Sequence, residues 1–418
     1  MAVVINGSGT VTGLAVGGLP DGTVDNDTVA SGLASSKLTG ALPAISAASL
    51  TNVPKDVTVG GRKNMVINGA MNVWQRGTTS LTGVGSSTET YMADRFKFTS
   101  SGDSRYTLSR EADAPAGFKY SYKFDCTTVG TSTGTSRSYL EQGIEGQDLQ
   151  HLQKGLATAK PVTLSFWVKT VITGVTDPVF RVNLQDASNT RILGGSYTYD
   201  TSTGGWQKFT ITFVGDTTGA ITDNANRGMW IEWWLYDYGY YSSGSIPTSW
   251  ESQVDADRNS NSTGNVAGNT SNYWQIAGVQ LELGDTATDF EHRSYGEELA
   301  LCQRYYHRIG GGGDTTILMT TSPSTAECAM HIQLPTAMRV KPTISWTDTS
   351  ASMTFRYAGN NSTNFTPSAV NNLTTSEFTN NGGSIWFGGF SHGQSSNGAG
   401  HIRTAGGNTN YLQFDAEL

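Results

Sequence analysis

The stretch that decides the fold covers residues 274–308 and reads WQIAGVQLELGDTATDFEHRSYGEELALCQRYYHR. Its first part places apolar side chains at strand positions with one irregular step, which predicts a β-strand that turns at 284–285. Ser-Tyr-Gly-Glu at 294–297 matches a capping box, in which a hydroxyl and a carboxylate satisfy backbone N–H groups at a helix start. The pattern predicts a short helix that continues to the glycines at 310–313.

The composition also favours strands. The chain has 418 residues, of which 50 are glycine and 15% are charged, and this is typical of turns and strands more than of long helices. Segments such as PVTLSFWVKT (161–170), WQKFTITFVG (206–215) and GMWIEWWLYDYG (228–239) alternate or run apolar at strand length. We expect an antiparallel sandwich or jelly roll over residues 61–292. The segment at 138–156, SYLEQGIEGQDLQHLQKGL, has a weak helical pattern.

The two ends of the chain differ from this central region. Residues 1–60 contain no Trp, Tyr or Phe, so they bury too little apolar surface to offset their conformational entropy alone. They are interpreted as an extended stalk wound with other chains, with a disordered tail as the alternative. Residues 310–418 contain short apolar runs joined by Ser/Asn/Gly loops, which predicts a small C-terminal β-sandwich. Residues 293–309 would form the linking helix.

Charge and cysteine content restrict the partners and the compartment. The net charge of −8 and the pI of about 5.3 argue against nucleic acid as a ligand. No apolar run approaches the ~20 residues of a membrane span, and the N-terminus lacks signal-peptide features, so we expect a soluble chain made in a cytoplasm. Cys126, Cys302 and Cys328 match no metal spacing and are interpreted as reduced packing residues.

Catalytic and metal motifs are weak in this sequence. The histidines show no H-E-x-x-H pairing, and no G-x-S-x-G stands in a strand-to-helix context with a partner histidine. Glu141 and Glu145 fall on one face of the possible helix and Glu282 in the closing strand, where solvated or capping roles are favoured over a glycosidase pair. Residues 255–261 resemble half of a calcium loop but lack its glycine and its closing glutamate, Val266 standing there. We expect no enzyme, no metal and no cofactor.

Aromatic clusters offer two candidate sugar-binding surfaces, because aromatic faces stack on sugar rings. Within WIEWWLYDYGYYSSGSIPTSW at 230–250, the first large apolar residues are interpreted as strand core: Trp230, Ile231, Trp233 and Leu235. Three later tyrosines flank a glycine and lead into a Ser/Gly loop, and they are binding candidates: Tyr238, Tyr240 and Tyr241. The Gly-rich C-terminal loops carry a rival set, which is slightly favoured because the C-terminal region is expected to be distal: Trp386, Phe390, His392 and His401.

Three passages together resemble the receptor-binding region of bacteriophage tail fibres and tail proteins: NMVINGAMNVWQRG at 64–77, YMADRFKF at 91–98 and the closing 274–308. In that family an opening "NxxxNGxMxVWQRG … ADRF" and a closing "VQLELG … FEHRSYGEELxLCQRYY" bracket a jelly roll related in shape to carbohydrate-binding modules. The resemblance implies that the first and last strands lie side by side, with Val66 near Leu281.

The same resemblance implies a role in the virion. The N-terminus would attach to a phage tail or baseplate adaptor protein, and the chain would bind a host surface glycan or outer-membrane receptor. Two alternatives stay open, a purely structural tail component and a polysaccharide depolymerase.

An oligomer is predicted from the spacing of four residues. Tyr295, Leu299, Cys302 and Tyr306 recur at four, three and four positions, as in a short heptad seam on a helix too brief to be stable alone. This predicts a homotrimer with the seam on its axis. The alternative is that this face packs against the chain's own jelly roll.

Overall fold

The structure is a computed structural model that describes residues 4–5, 11–12, 62–85, 87–131, 134–310, 316–324, 327–346, 353–357, 362–365, 372–374, 377–388, 398–404 and 411–418. The chain divides into two compact units, residues 1–61 and 62–418. In the first unit β1 (Val4–Ile5) pairs antiparallel with β2 (Val11–Thr12). The rest of that unit lies outside the described residues, so the stalk remains a prediction.

Residues 62–292 form two antiparallel sheets. Their strands are β3 (Leu81–Gly85), β4 (Thr88–Tyr91), β5 (Lys97–Ser101), β6 (Arg105–Glu111), β7 (Ser121–Thr128), β8 (Arg137–Glu145), β9 (Val162–Val171), β10 (Val179–Asp186), β11 (Arg191–Thr198), β12 (Gln207–Phe213), β13 (Arg227–Asp237), β14 (Glu251–Ser252) and β15 (Tyr273–Leu283). One sheet has the order β14-β11-β10-β13-β8-β5-β4 and the other β12-β9-β15-β7-β6-β3. The predicted all-β class with an antiparallel sandwich is confirmed.

The core lies between these sheets, where every second side chain of each strand points inward. On β13 the inward residues Ile231, Trp233 and Leu235 are fully buried, as predicted. The prediction for Trp230 was wrong, because alternation turns it to the outer face, where its Nε1 donates to Glu232 at 3.1 Å. Cys126 and Cys302 are buried free thiols, while the side chain of Cys328 lies outside the described set.

The helical pattern at 138–156 proved misleading. Its first part is β8, and a 3₁₀ helix over Gly146–Leu152 follows. Leu140 and Ile144 face the core of the sandwich. The alternate positions, including Glu141 and Glu145, lie on the outer face and are buried. The i, i+4 spacing of the two glutamates therefore reflects one face of a strand and not of a helix.

The outer face of the seven-stranded sheet is polar and partly buried. Arg258 enters it from the loop after β14 and pairs with Glu232. On the neighbouring β10, Arg181, Asn183 and Gln185 occupy alternate outward positions and are fully buried. None of the three guanidinium nitrogens of Arg181 has a hydrogen-bond partner among the described residues. Burial lowers the pKa of Arg181 to about 10.

The opening segment lies against the closing strand, as the resemblance implied. The amide of Met65 donates to the carbonyl of Leu281 at 2.9 Å. The side chain of Asn64 accepts from the amide of Leu281 at 3.1 Å and donates to the carbonyl of Val279 at 3.0 Å. The irregular step in β15 is a bulge at Gly278, which has a positive φ of 62°.

Helix α1 (Tyr295–Gln303) begins with the predicted capping box, which is complete at Ser294 and Glu297. It ends well before the glycines, because the next strand starts at Tyr306. Tyr306 is thus not on the helix, and the predicted four-residue seam was wrong. Cys302 packs on Ile67 and Tyr305 of the same chain, which matches the alternative that this face covers its own jelly roll. The homotrimer itself remains a prediction.

The remaining residues form a three-stranded sheet in the order β16-β26-β19 and an eight-stranded sheet in the order β21-β20-β25-β17-β18-β24-β22, with β23 beside β24. Their strands are β16 (Tyr306–Gly310), β17 (Thr316–Ser324), β18 (Glu327–Gln333), β19 (Thr343–Trp346), β20 (Met353–Tyr357), β21 (Ser362–Phe365), β22 (Asn372–Thr374), β23 (Phe378–Thr379), β24 (Gly382–Gly388), β25 (Gly398–Thr404) and β26 (Tyr411–Asp415). Within the described ranges, no helix combines the length and apolar composition needed to span a bilayer. The division at 292 and 310 into separate domains stays a prediction.

Candidate functional site

The residues that carry the tail-fibre resemblance meet in one place, which we call the signature junction (Asn68, Asp94, Arg95, Arg293 and Glu298). Asn68 is its centre and adopts a positive φ of 61°. Its side-chain amide donates to the carbonyls of Val73 and Asp94 at 2.9 and 3.0 Å. Its backbone amide donates to Glu298 at 2.6 Å. The opening segment is thereby tied to the helix.

The cations of the junction are equally engaged. Arg95 is buried, pairs with Glu417, and lies 3.4 Å from the ring centroid of Tyr305. Arg293 donates to the carbonyls of Asn64 and Val66 and pairs with Glu298 at 3.3 Å. Most of these polar groups are paired within the chain, although the Nε atoms of Arg95 and Arg293 have no partner among the described residues. The signature junction is therefore a structural element that holds three parts of the chain together.

The three glutamates weighed as catalytic acids are also bound internally. Glu141 pairs with Lys97 at 2.6 Å, and Glu145 accepts from Arg304 twice at 2.7 Å. Glu282 accepts from the side chain and amide of Thr288 at 2.6 and 2.9 Å. All three are buried, so the prediction of solvated or capping roles was wrong. Each lies on a strand face covered by a neighbouring segment.

The predicted tyrosine surface is only partly exposed. Tyr238 and Tyr240 are 46% and 48% exposed. Tyr241 is 4% exposed, because it packs on Tyr139 and Trp234, and burial raises its pKa. Placing Tyr241 among the stacking residues was therefore wrong.

The C-terminal candidates fall on different strands. Trp386 is half-buried in β24 with its Nε1 3.5 Å from Glu377. His401 is half-buried in β25, three strands away in the sheet order, or about 14 Å at the usual strand spacing. Phe390 and His392 lie outside the described residues. The structure therefore does not bring Trp386 and His401 together, and the head surface remains a prediction.

An open cleft that the sequence analysis did not anticipate lies beside the signature junction. Its volume is about 480 Å³. One wall comes from 64–77 and 274–308, two of the passages that carry the tail-fibre resemblance. The other wall comes from β6 and the turn before β7. The lining residues are Ala70, Asn72, Arg110, Gly117, Phe118, Lys119, Tyr120, His292 and Tyr295. We call this surface the Tyr295 cleft, because Tyr295 is 59% exposed there.

Local sequence explains how the second wall is built. The amide of Phe118 donates to the carbonyl of Pro115 at 3.0 Å, and Gly117 has a φ of 92°, as the third residue of a type II turn requires. Phe118 then lies over the bulge of β15. A Cβ atom at Gly278 would come within 2.6 Å of the Phe118 ring. The bulge glycine thus leaves the space that Phe118 occupies.

The cleft combines aromatic rings with cations. The Arg110 guanidinium carbon lies 4.2 Å from the ring centroid of Tyr120, and the Lys119 Nζ lies 5.1 Å from it. Phe118 contacts the ring of His292 with centroids 5.4 Å apart. Among the residues described as lining the cleft, none is Asp or Glu. Such a surface can stack an apolar ring face and hold an anion or a hydroxyl.

Sequence reasoning missed this cleft, although one local signal was present. The stretch DAPAGFKYSY at 113–122 joins turn residues to an aromatic-cation-aromatic run, which is unusual for a simple connection. Only Tyr295 was singled out, and then for the trimer seam. Its side chain lines the cleft instead.

No family model matches the chain, and no curated protein matches it. Solved structures that match this chain include the carbohydrate-binding module TmCBM61 in complex with β-1,4-galactotriose, at 9% identity and a TM-score of 0.25 over 53% of this chain and 99% of that chain. The CBM22-1 xylan-binding domain from Paenibacillus barcinonensis matches at 10% identity and a TM-score of 0.24 over 50% and 95%.

Two larger proteins match in part. The enzymatically active domain of bacteriophage CBA120 tailspike protein 4 has 12% identity and a TM-score of 0.25 over 53% of this chain and 21% of that chain. The α-L-arabinofuranosidase MgGH51 has 10% identity and a TM-score of 0.27 over 44% and 23%. This chain therefore spans less than a quarter of either matched chain.

Proposed function

We propose that this protein is a bacteriophage tail fibre or tail-tip protein that binds a host cell-surface glycan in the Tyr295 cleft. The observation that carries the glycan site is the cleft itself. Its volume of about 480 Å³ lies in the range of small-ligand sites. The exposed ring of Tyr295 offers a face for a sugar ring, and Asn72 and the cations offer hydrogen bonds to its hydroxyls.

The resemblance of 64–77, 91–98 and 274–308 to phage tail fibres supports the assignment to a phage. In this proposal residues 1–60 attach to a tail or baseplate adaptor protein, and the chain assembles as a homotrimer. It resides in the virion after synthesis in a bacterial cytoplasm. Three copies of a weak glycan site would act together, because effective concentration raises avidity.

We further propose that the protein binds glycan without cleaving it. Glycoside hydrolysis ordinarily needs two carboxyl groups flanking the bond. The described lining of the cleft contains neither Asp nor Glu, and Glu141, Glu145 and Glu282 are engaged in the hydrogen bonds given above.

The test uses the full chain on an array of bacterial lipopolysaccharides and capsular polysaccharides. Tyr295→Ala should lose binding by about tenfold or more, because stacking on an exposed aromatic anchors such ligands. Tyr240→Ala tests the rival tyrosine surface, on which that side chain is 48% exposed, and in this proposal it should bind like the parent. Melting temperatures of both variants should equal that of the parent.

Three results would overturn parts of this proposal. Equal binding by Tyr295→Ala and the parent would place the glycan site elsewhere. Release of reducing ends from a bound polysaccharide would make the protein a depolymerase. Failure of the parent to retain any polysaccharide on the array would favour a purely structural tail component.

A further inference from the structure

The Tyr295 cleft is positively charged, although the chain is acidic. The chain has a net charge of −8, yet the cations Arg110 and Lys119 both line the cleft. Because nothing acidic is described in that lining, the local potential opposes the sign of the whole molecule. A charge arrangement of this kind attracts anions into the cleft.

These two cations also lack the partners that neighbouring cations have. On the same sheet Lys123 pairs with Asp125 at 2.8 Å and Lys169 pairs with Asp113 at 2.7 Å. Arg110 and Lys119 form no salt bridge in the part of the chain that the structure describes. The charged group of each lies over the ring of Tyr120. Arg110 is half-buried and Lys119 is exposed, and both remain available to a ligand.

The unpaired cations have the chemistry that recognises an acidic group. A guanidinium forms two parallel hydrogen bonds with a carboxylate or phosphate, and an ammonium adds a compact charge. The exposed Tyr295 ring lines the same cleft. One anionic sugar residue could therefore present its acidic group to the cations and its ring to the tyrosine.

We propose that the Tyr295 cleft selects anionic saccharides, with the acidic group of the sugar bound by Arg110 and Lys119. This inference rests on the proposed glycan binding and names the substrate class. The acidic group is a carboxylate, as in uronic acids, or a phosphate, as in phosphorylated polymers. Tyr120 positions both cations, since its ring contacts each of them.

The experiment compares acidic bacterial polysaccharides with the same polymers after chemical reduction of their carboxyl groups. A phosphate-bearing teichoic acid forms a second arm, which separates the two sources of negative charge. We expect carboxyl reduction to weaken binding about tenfold or more, because a charge-assisted hydrogen bond is lost. Binding should also weaken as the salt concentration is raised from about 50 to about 500 mM, because dissolved ions screen the attraction between the cations and the acidic group.

The variant pair removes the charges and keeps most of the side-chain volume. The double variant Arg110→Gln with Lys119→Gln should lose acidic polysaccharides about tenfold or more. Lys208→Gln is the matched control, because Lys208 is an exposed cation on β12, and it should bind like the parent. An unchanged melting temperature checks the fold of both.

The outcomes separate this inference from the proposed function. Equal binding of acidic and carboxyl-reduced polymers, with no preference for teichoic acid, overturns the selection for anions and leaves glycan binding in place. Unimpaired acidic binding by the double variant also overturns it. If the parent retains no polysaccharide of any kind, the proposed function fails, and the inference fails with it.

Discussion

The signature junction and the Tyr295 cleft lie side by side, and they differ in how their cations are paired. In the junction Arg95 pairs with Glu417 and Arg293 with Glu298. In the cleft Arg110 and Lys119 have no such partner among the described residues. Two consecutive residues contribute to the two regions, since Arg293 belongs to the junction and His292 lines the cleft. A recognisable motif can therefore mark the scaffold, while the binding chemistry lies on the residues beside it.

The largest effect is expected where the junction loses a carboxylate. Glu298→Ala should lower the free energy of unfolding by about 4 kcal/mol, because it leaves Arg293 and the amide of Asn68 short of a partner in a buried position. Chemical denaturation of the full chain measures this. The neighbouring Glu297→Ala is the control, since Glu297 is exposed and only caps the helix, and its loss should be smaller. Equal losses would show that the junction is no more stabilising than a cap.

A second effect comes from the buried acid of the junction. Burial raises the pKa of Asp94 to about 6, from an ordinary value of 3.8. The folded state thus favours protonated Asp94, so this contribution to stability is present below about pH 4 and is lost as the pH rises through 6. Between pH 4 and 7 the parent should lose up to about 3 kcal/mol relative to Asp94→Asn. Superimposable pH curves for the two proteins would contradict this.

The smallest effect tests whether pairing is needed for every buried cation. Arg181 is fully buried without a described hydrogen-bond partner, whereas Arg258 on the same sheet face pairs with Glu232. Arg181→Met should raise the free energy of unfolding by about 1 to 2 kcal/mol, because an uncompensated charge is removed from the interior. Arg258→Met should lower it, since Glu232 loses its partner. Destabilisation by Arg181→Met would mean that its charge is compensated after all.

The fold was largely predictable because its signals are local. Alternation identified β13 and β15, and the 294–297 box identified the start of α1. The 138–156 segment misled because Glu141 and Glu145 are buried on a strand by Lys97 and Arg304, which are distant in sequence. Charges that find remote partners can occupy positions that look solvent-exposed in a local pattern.

The site was much less predictable. The cleft joins residues near 70, 110, 120 and 292, and no spacing rule connects segments so far apart. Tyr241 looked like its exposed neighbours Tyr238 and Tyr240, but contacts with Tyr139 and Trp234 bury it. Exposure of an aromatic side chain in a loop depends on what the loop packs against, and that is a tertiary property.

The small three-stranded sheet has a consequence for how this protein can change. Trp346, the last residue of β19, pairs with Leu412 of β26, so the segment that joins these two strands leaves and re-enters the sheet at neighbouring points. The sheet is in turn fixed to the jelly roll, where Arg76 pairs with Asp415 at 3.2 Å. Because the two ends of the segment between Trp346 and Tyr411 are already held together, its length can vary at little cost in closure entropy. Segments of different length and sequence can therefore replace the one between β19 and β26, in evolution or by engineering, while the jelly roll stays unchanged.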